Sequence, residues 1–144
     1  MTIIIPMAGE GSRFRDAGYQ LPKALVPVSG KPMIVRVLES LPPSDRIVCL
    51  VRQEHIDQFH IDELIKQHAP NAVMVPIAQT TEGQASTCML AMPHVAPDEP
   101  LFIAACDNSF LYNKERHAQL ANDPSVDAIL WTFTRDALLT AKPE

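Results

Sequence analysis

The chain has 144 residues, with 12 Lys/Arg against 17 Asp/Glu and a formal net charge of −5. That length suits one domain with a sizeable core. No run reaches the roughly 18–20 apolar residues of a membrane span, and an acidic balance without a wide basic face argues against a nucleic-acid partner.

The charge is unevenly placed. Residues 1–36 carry five Lys/Arg against two Asp/Glu, a local +3, whereas the rest carries seven against fifteen, a local −8. A basic amino-terminal segment in an acidic protein fits a small anionic ligand. No signal-peptide pattern opens the sequence, because Arg13 follows the first apolar run. Cys49, Cys88 and Cys106 each sit in an apolar stretch without CxxC spacing, which predicts buried thiols in a reducing compartment and hence a cytoplasmic protein. His55 and His60, five apart in a polar segment, read as surface residues, and the five histidines show no metal spacing.

Residues 2–7, with Ile3, Ile4 and Ile5, read as a buried strand. A long loop follows over 8–22. In it Gly9 and Gly11 let backbone N–H groups approach an anion closely, as no residue with a Cβ can. Arg13 and, just past the loop, Lys23 add positive charge, so the segment is suited to hold a polyphosphate at the end of a strand. Pro32 can start a helix in which Met33, Ile34, Val37, Leu38 and Leu41 recur at helical spacing, and Pro42-Pro43 ends it. Strand 46–51 comes next, then one helix or two short ones over 54–68, then strand 72–77. The turn Thr80-Thr81-Glu82-Gly83 opens a helix with Ala85, Cys88, Met89 and Met92 on its apolar side. Residues 100–106 are apolar throughout, as a central parallel strand would be. A helix over 114–120 and a last strand over 128–133 complete the pattern. Strands spaced by helices predict right-handed βαβ units, an α/β fold with a mostly parallel sheet covered on both faces. Ligands bind such sheets at the carboxyl ends of the strands.

Two strand ends carry the chemistry. The first delivers Ala8-Gly9-Glu10-Gly11-Ser12-Arg13, and strand 100–106 delivers Asp107-Asn108. Taken alone, Asp107 serves equally well as a turn cap or as a metal ligand. Beside a phosphate loop the metal reading is the stronger, since Mg²⁺ binds through one or two carboxylates plus substrate phosphates. Gly30-Lys31 is not a Walker A loop: Leu25 stands where its first glycine would be, and Pro32 where Ser or Thr would follow the lysine. Phe14, three after Gly11, weakens a dinucleotide-binding reading.

Gly9-Glu10-Gly11-Ser12-Arg13, Pro22-Lys23 and Gly30-Lys31-Pro32-Met33-Ile34 together resemble the signature of the nucleotidyltransferases that make sugar nucleotides, a G-x-G-[ST]-R loop, a P-K pair and a G-K-P-[ML]-I helix start. The resemblance runs along essentially the whole chain. It implies a three-layer α/β/α Rossmann-like fold of the nucleotide-diphospho-sugar transferase type. It also implies that an NTP gives its NMP moiety to a phosphorylated small-molecule acceptor, most simply a sugar 1-phosphate, with release of pyrophosphate. On that basis Ala8, Gly9, Glu10, Gly11 and Ser12 hold the triphosphate and Arg13 neutralises the leaving pyrophosphate. Lys23 bridges the α-phosphate and the incoming phosphate, Asp107 holds Mg²⁺, and Gln79 and Gly83 read the base. Lys31 is expected to shape the turn before its helix.

Two departures from the pattern matter. Family domains run well past this length, and no later segment matches their second metal-binding aspartate, so the chain is expected to be a nucleotide-binding amino-terminal part with uncertain turnover of its own. A lone half would leave apolar surface uncovered, which favours a homo-oligomer. Gln79 also lies four residues before Gly83, where better-known branches place it five before, so the base stays open. The competing expectation is a nucleotide-binding or regulatory domain of the same fold without full catalytic activity.

Overall fold

The computed structural model describes residues 1–132. Residues Met1–Leu111 form one compact unit, and a second unit begins at Tyr112.

In the first unit, β1 (Thr2–Met7), β4 (Arg46–Arg52), β5 (Ala72–Ile77) and β6 (Leu101–Ile103) form a four-stranded parallel sheet in the order β5-β4-β1-β6. Ile3, Ile4 and Ile5 are fully buried because β1 is flanked by strands on both sides and covered on both faces. Burial of each isoleucine contributes about 1.5–3 kcal/mol. Ile3, Ile5 and Met7 pack with Ile34, Val37, Ile61 and Ile65 on one face; Ile4 and Ala8 pack with Val48, Leu50, Cys88 and Ala91 on the other. The first set comes from α2 (Met33–Ser40) and α4 (Ile61–His68), and the second face is covered by α5 (Gln84–Met89). The expected three-layer, mostly parallel α/β architecture is therefore present.

Several local expectations need revision. The loop over 8–22 contains a short helix, α1 (Ser12–Asp16), that starts beyond Gly11. Between Lys23 and α2 the chain makes a small antiparallel hairpin of β2 (Pro27–Val28) and β3 (Lys31–Pro32). Its two turn residues, Ser29 and Gly30, both have positive φ, 49° and 79°, as a type I′ turn requires. Of the two readings offered for 54–68 the structure has the second, two short helices, α3 (Gln53–Phe59) and α4, broken at His60 with φ 50°.

The apolar side expected for α5 holds for Cys88 alone. Thr87, Cys88 and Ala91 are buried, whereas Ala85, Met89 and Met92 are exposed. The buried positions carry small side chains, and the helix ends at Met89 before a separate 3₁₀ turn carries Met92. Strand 100–106 is also shorter than expected. Only Leu101–Ile103 is strand, and among the described residues β6 is an edge, with Leu101 and Ile103 exposed on either side of buried Phe102.

In the second unit, α6 (Lys114–Ala121) is capped by Asn113, whose Oδ1 accepts from the Arg116 N–H at 2.8 Å. The rings of Tyr112, His117 and Trp131 pack within 5.3–5.5 Å of one another. Residues 128–132 form no strand; Phe133, the last residue of the strand expected there, lies outside the described residues.

Candidate nucleotide site

A cavity of about 730 Å³ opens at the carboxyl ends of the strands, where an α/β sheet places ligands. Each strand end contributes to its wall. β1 supplies Met7, Ala8 and Gly9, with Gly11, Ser12, Arg13 and Phe14 following; β6 leads to Ala105, Cys106 and Asp107. His55 comes from α3 at the end of β4, and Thr80, Thr81, Gly83, Gln84 and Thr87 come from the segment after β5. Lys23 and Met33 close the remaining side.

The glycine loop is shaped by Gly11, whose φ of 61° lies in the left-handed region, where a side chain costs about 1–2 kcal/mol. A Cβ there would also stand 3.7 Å from Lys23 Cβ, so the loop and the lysine are packed together. A Cβ at Gly9 would meet nothing within 4 Å; the backbone faces open space there. No side chain caps the first turn of α1, and the first N–H groups of any helix lack an intrahelical acceptor.

Charge is concentrated at this end of the cavity. The Lys23 ammonium forms an ion pair with the Asp107 carboxylate and lies 5.6 Å from the centre of the Phe14 ring. Arg13 makes no ion pair among the described residues. Cys106, beside Asp107, has its thiol pushed up to about 11, first by burial and then by the neighbouring carboxylate. Burial likewise pushes Cys49 up to about 12. Both thiols are therefore protonated at neutral pH and unsuited to nucleophilic work.

The opposite end is polar but lacks a cation in its wall. Thr87 Oγ1 donates to the Gly83 carbonyl at 3.1 Å, Thr81 Oγ1 does so at 3.0 Å, and the two hydroxyls lie 2.6 Å apart. These bonds fix the turn that enters α5. Arg52 Nη1 donates to Thr80 Oγ1 at 2.9 Å, and Thr80 Oγ1 donates to Glu10 at 3.4 Å, which ties this turn to the glycine loop.

Of the residues expected at the site, Ala8, Gly9, Gly11, Ser12, Arg13, Lys23, Gly83 and Asp107 line one cavity. Glu10 and Gln79 do not; Glu10 turns its carboxylate to Thr80 and Arg15, and Gln79 is exposed. Gln84, which is also exposed, lines the cavity where Gln79 does not. Lys31 is held by Glu39 of α2, away from the cavity, in keeping with a role in shaping its turn. His55, read from the sequence as a surface residue, is in the wall with its side chain only 13% exposed. Its place directly after a β-strand was the signal for it. Among the described residues no group of three or more His, Cys, Asp or Glu side chains is placed to hold a metal ion.

A glycine loop with two cations and a carboxylate, gathered at the strand ends of a three-layer sheet, defines a nucleotide-handling α/β protein. The chain belongs to the MobA-like NTP transferase domain family, whose model matches residues 3–136. It is 32% identical over 99 residues to the bifunctional protein GlmU of Aromatoleum aromaticum, covering 66% of this chain and 19% of that protein. The fold is similar to a nucleoside-diphosphate-sugar pyrophosphorylase from Vibrio cholerae RC9, with a TM-score of 0.65 and 24% identity over 81% of this chain and 52% of that one. It is also similar to the inositol-1-phosphate CTP transferase from T. maritima, with a TM-score of 0.61 and 20% identity over 76% of this chain and 44% of that one. The chain thus spans about half the length of these solved structures and about a fifth of the curated relative.

Proposed function

We propose that this chain is the nucleotide-binding part of an enzyme that transfers an NMP moiety from an NTP to a phosphorylated metabolite, a sugar 1-phosphate in the simplest case, releasing pyrophosphate. The observation that carries this reading is the meeting of the Gly9–Gly11 loop, Arg13 and the Lys23–Asp107 pair in one cavity at the strand ends.

Phosphoryl chemistry of this kind asks the protein mainly for positioning and charge neutralisation. The backbone of Gly9 to Ser12 cradles the triphosphate. Arg13, without an acidic partner among the described residues, neutralises the pyrophosphate as it leaves. Lys23 draws the α-phosphate and the acceptor phosphate together once it parts from Asp107. Gly83 and Gln84 face the base. Mg²⁺ fits Asp107: one carboxylate beside a phosphate site suffices for an ion that takes its other ligands from water and nucleotide. The ion would lower the charge on the phosphates under attack. The apolar edge at β6 supports self-association, and three protonated or buried cysteines suit a cytoplasmic setting.

The test is thermal melting with each NTP and with dTTP, with and without Mg²⁺. At about 100-fold excess over Kd a bound nucleotide adds roughly 2.7 kcal/mol. A Mg²⁺-dependent upward shift with one base is expected. No shift with any nucleotide would refute the reading. Pyrophosphate release on adding phosphosugars then separates a transferase from a domain that binds without turnover.

A further inference from the structure

We infer that His55 is a base-contacting residue of this cavity, a role that rests on the reading above that the cavity takes an NTP. The two ends of the cavity differ in chemistry. Arg13, Lys23 and Asp107 gather where β1 and β6 end. The other end, beyond β4 and β5, is walled by Thr80, Thr81, Gly83, Gln84 and His55; the nearest cation, Arg52, lies outside the wall, where it pairs with Glu54 and donates to Thr80. The part of a nucleotide that suits such a wall is uncharged, planar and rich in hydrogen-bonding edges, which describes the nucleobase.

His55 is placed to meet it. Its backbone is fixed at the start of α3, directly after β4. Its ring is backed by Phe59 in an edge-on contact at 6.3 Å, which limits its rotamers. The Glu54 carboxylate lies 3.7 Å from Nε2, beyond hydrogen-bonding distance, so it does not satisfy the ring. Burial lowers the His55 pKa, with Arg52 acting in the same direction against Glu54. The ring is thus neutral at pH 7 and offers one donor, one acceptor and a π face. A polar ring kept in the wall, rather than turned to solvent, is suited to stack on a base or bond its edge.

The experiment compares wild type, His55→Ala and His55→Gln by calorimetric titration in Mg²⁺. The probes are the NTP that wild type binds best and inorganic tripolyphosphate, which engages only the phosphate end. His55→Ala is expected to weaken the NTP about tenfold, the loss typical of removing one ring from a base, and to leave tripolyphosphate within twofold. His55→Gln, which keeps a donor and an acceptor, should fall between. Unchanged NTP affinity in His55→Ala overturns the inference. So does a parallel loss for both probes, which would mean a general collapse of the site. If His55→Ala does not fold, a folded His55→Gln with wild-type affinity and wild-type ranking of the four bases overturns it as well. Wild-type protein that binds no NTP overturns the nucleotide reading itself, an outcome distinct from a normal NTP site indifferent to His55.

Discussion

Lys23 holds three relations at once. Its ammonium pairs with Asp107, lies over the Phe14 ring and rises from a Cβ packed against Gly11. About a third of each partner of the ion pair is exposed, so the pair contributes about 1 kcal/mol or less to stability. Lys23→Ala should therefore keep its melting temperature within a few degrees while lowering NTP turnover about 100- to 1000-fold, the loss typical of deleting one preorganised charge-stabilising group. Near-wild-type pyrophosphate release in that variant would remove Lys23 from the chemistry. Arg13, Asp107 and the glycines were legible in the sequence because they closely follow strands, and strand ends converge in a parallel sheet; Lys23 was legible from its charge and the Pro22-Lys23 pair. Gln79, Gln84 and His55 were not. Their backbone positions follow from the same rule, but which side chain turns inward depends on local bonds such as Thr87 to Gly83, and sequence spacing does not encode those.

The elements nearest the site are held by short, local devices. The β2–β3 hairpin is clamped by Arg36 of α2, whose guanidinium donates to the Ser29 and Val28 carbonyls at 2.7 and 3.3 Å. Gly30 has φ 79°, and a Cβ there would meet no atom within 4 Å, so the penalty for a side chain is conformational rather than steric. Gly30→Ala should destabilise by about 1–2 kcal/mol and leave NTP affinity unchanged, because the turn lies outside the cavity wall. Paired chemical denaturation and nucleotide titration check this; a loss of affinity would show that the hairpin helps to place Lys23. Strands of two residues are too short to show a period of two, which is why the hairpin escaped the sequence pattern while β1, β4 and β5 did not. The misread face of α5 has a related cause: a six-residue helix gives less than two turns over which to establish a stripe.

Across the whole described structure, no helix is long and apolar enough to cross a membrane. Among the described residues, β6 is the edge of the sheet and carries exposed apolar side chains. Ile103 is 52% exposed on β6, Leu101 is 41% exposed beside it, and Met89 and Leu90 are exposed at the end of α5, which covers the same side of the sheet. An edge strand with exposed apolar side chains invites pairing. Sedimentation at micromolar concentration should show a species heavier than the 15.9 kDa monomer. Ile103→Lys should shift it toward the monomer, since charge on an edge strand opposes edge-to-edge contact. A wild-type chain that sediments only as monomer would contradict this.

The Lys23–Asp107 pair also bears on the order in which ligands arrive. With its acid and base joined, the pair itself presents little net charge, leaving Arg13 as the cation a free phosphate meets first, and either a phosphate or a divalent ion alone would have to break the pair while satisfying only one of its members. A metal–nucleotide complex brings a partner for both in a single encounter. On the proposed reading the pair would open most readily to a metal–nucleotide complex, and stray magnesium alone should be a poor inhibitor of the site.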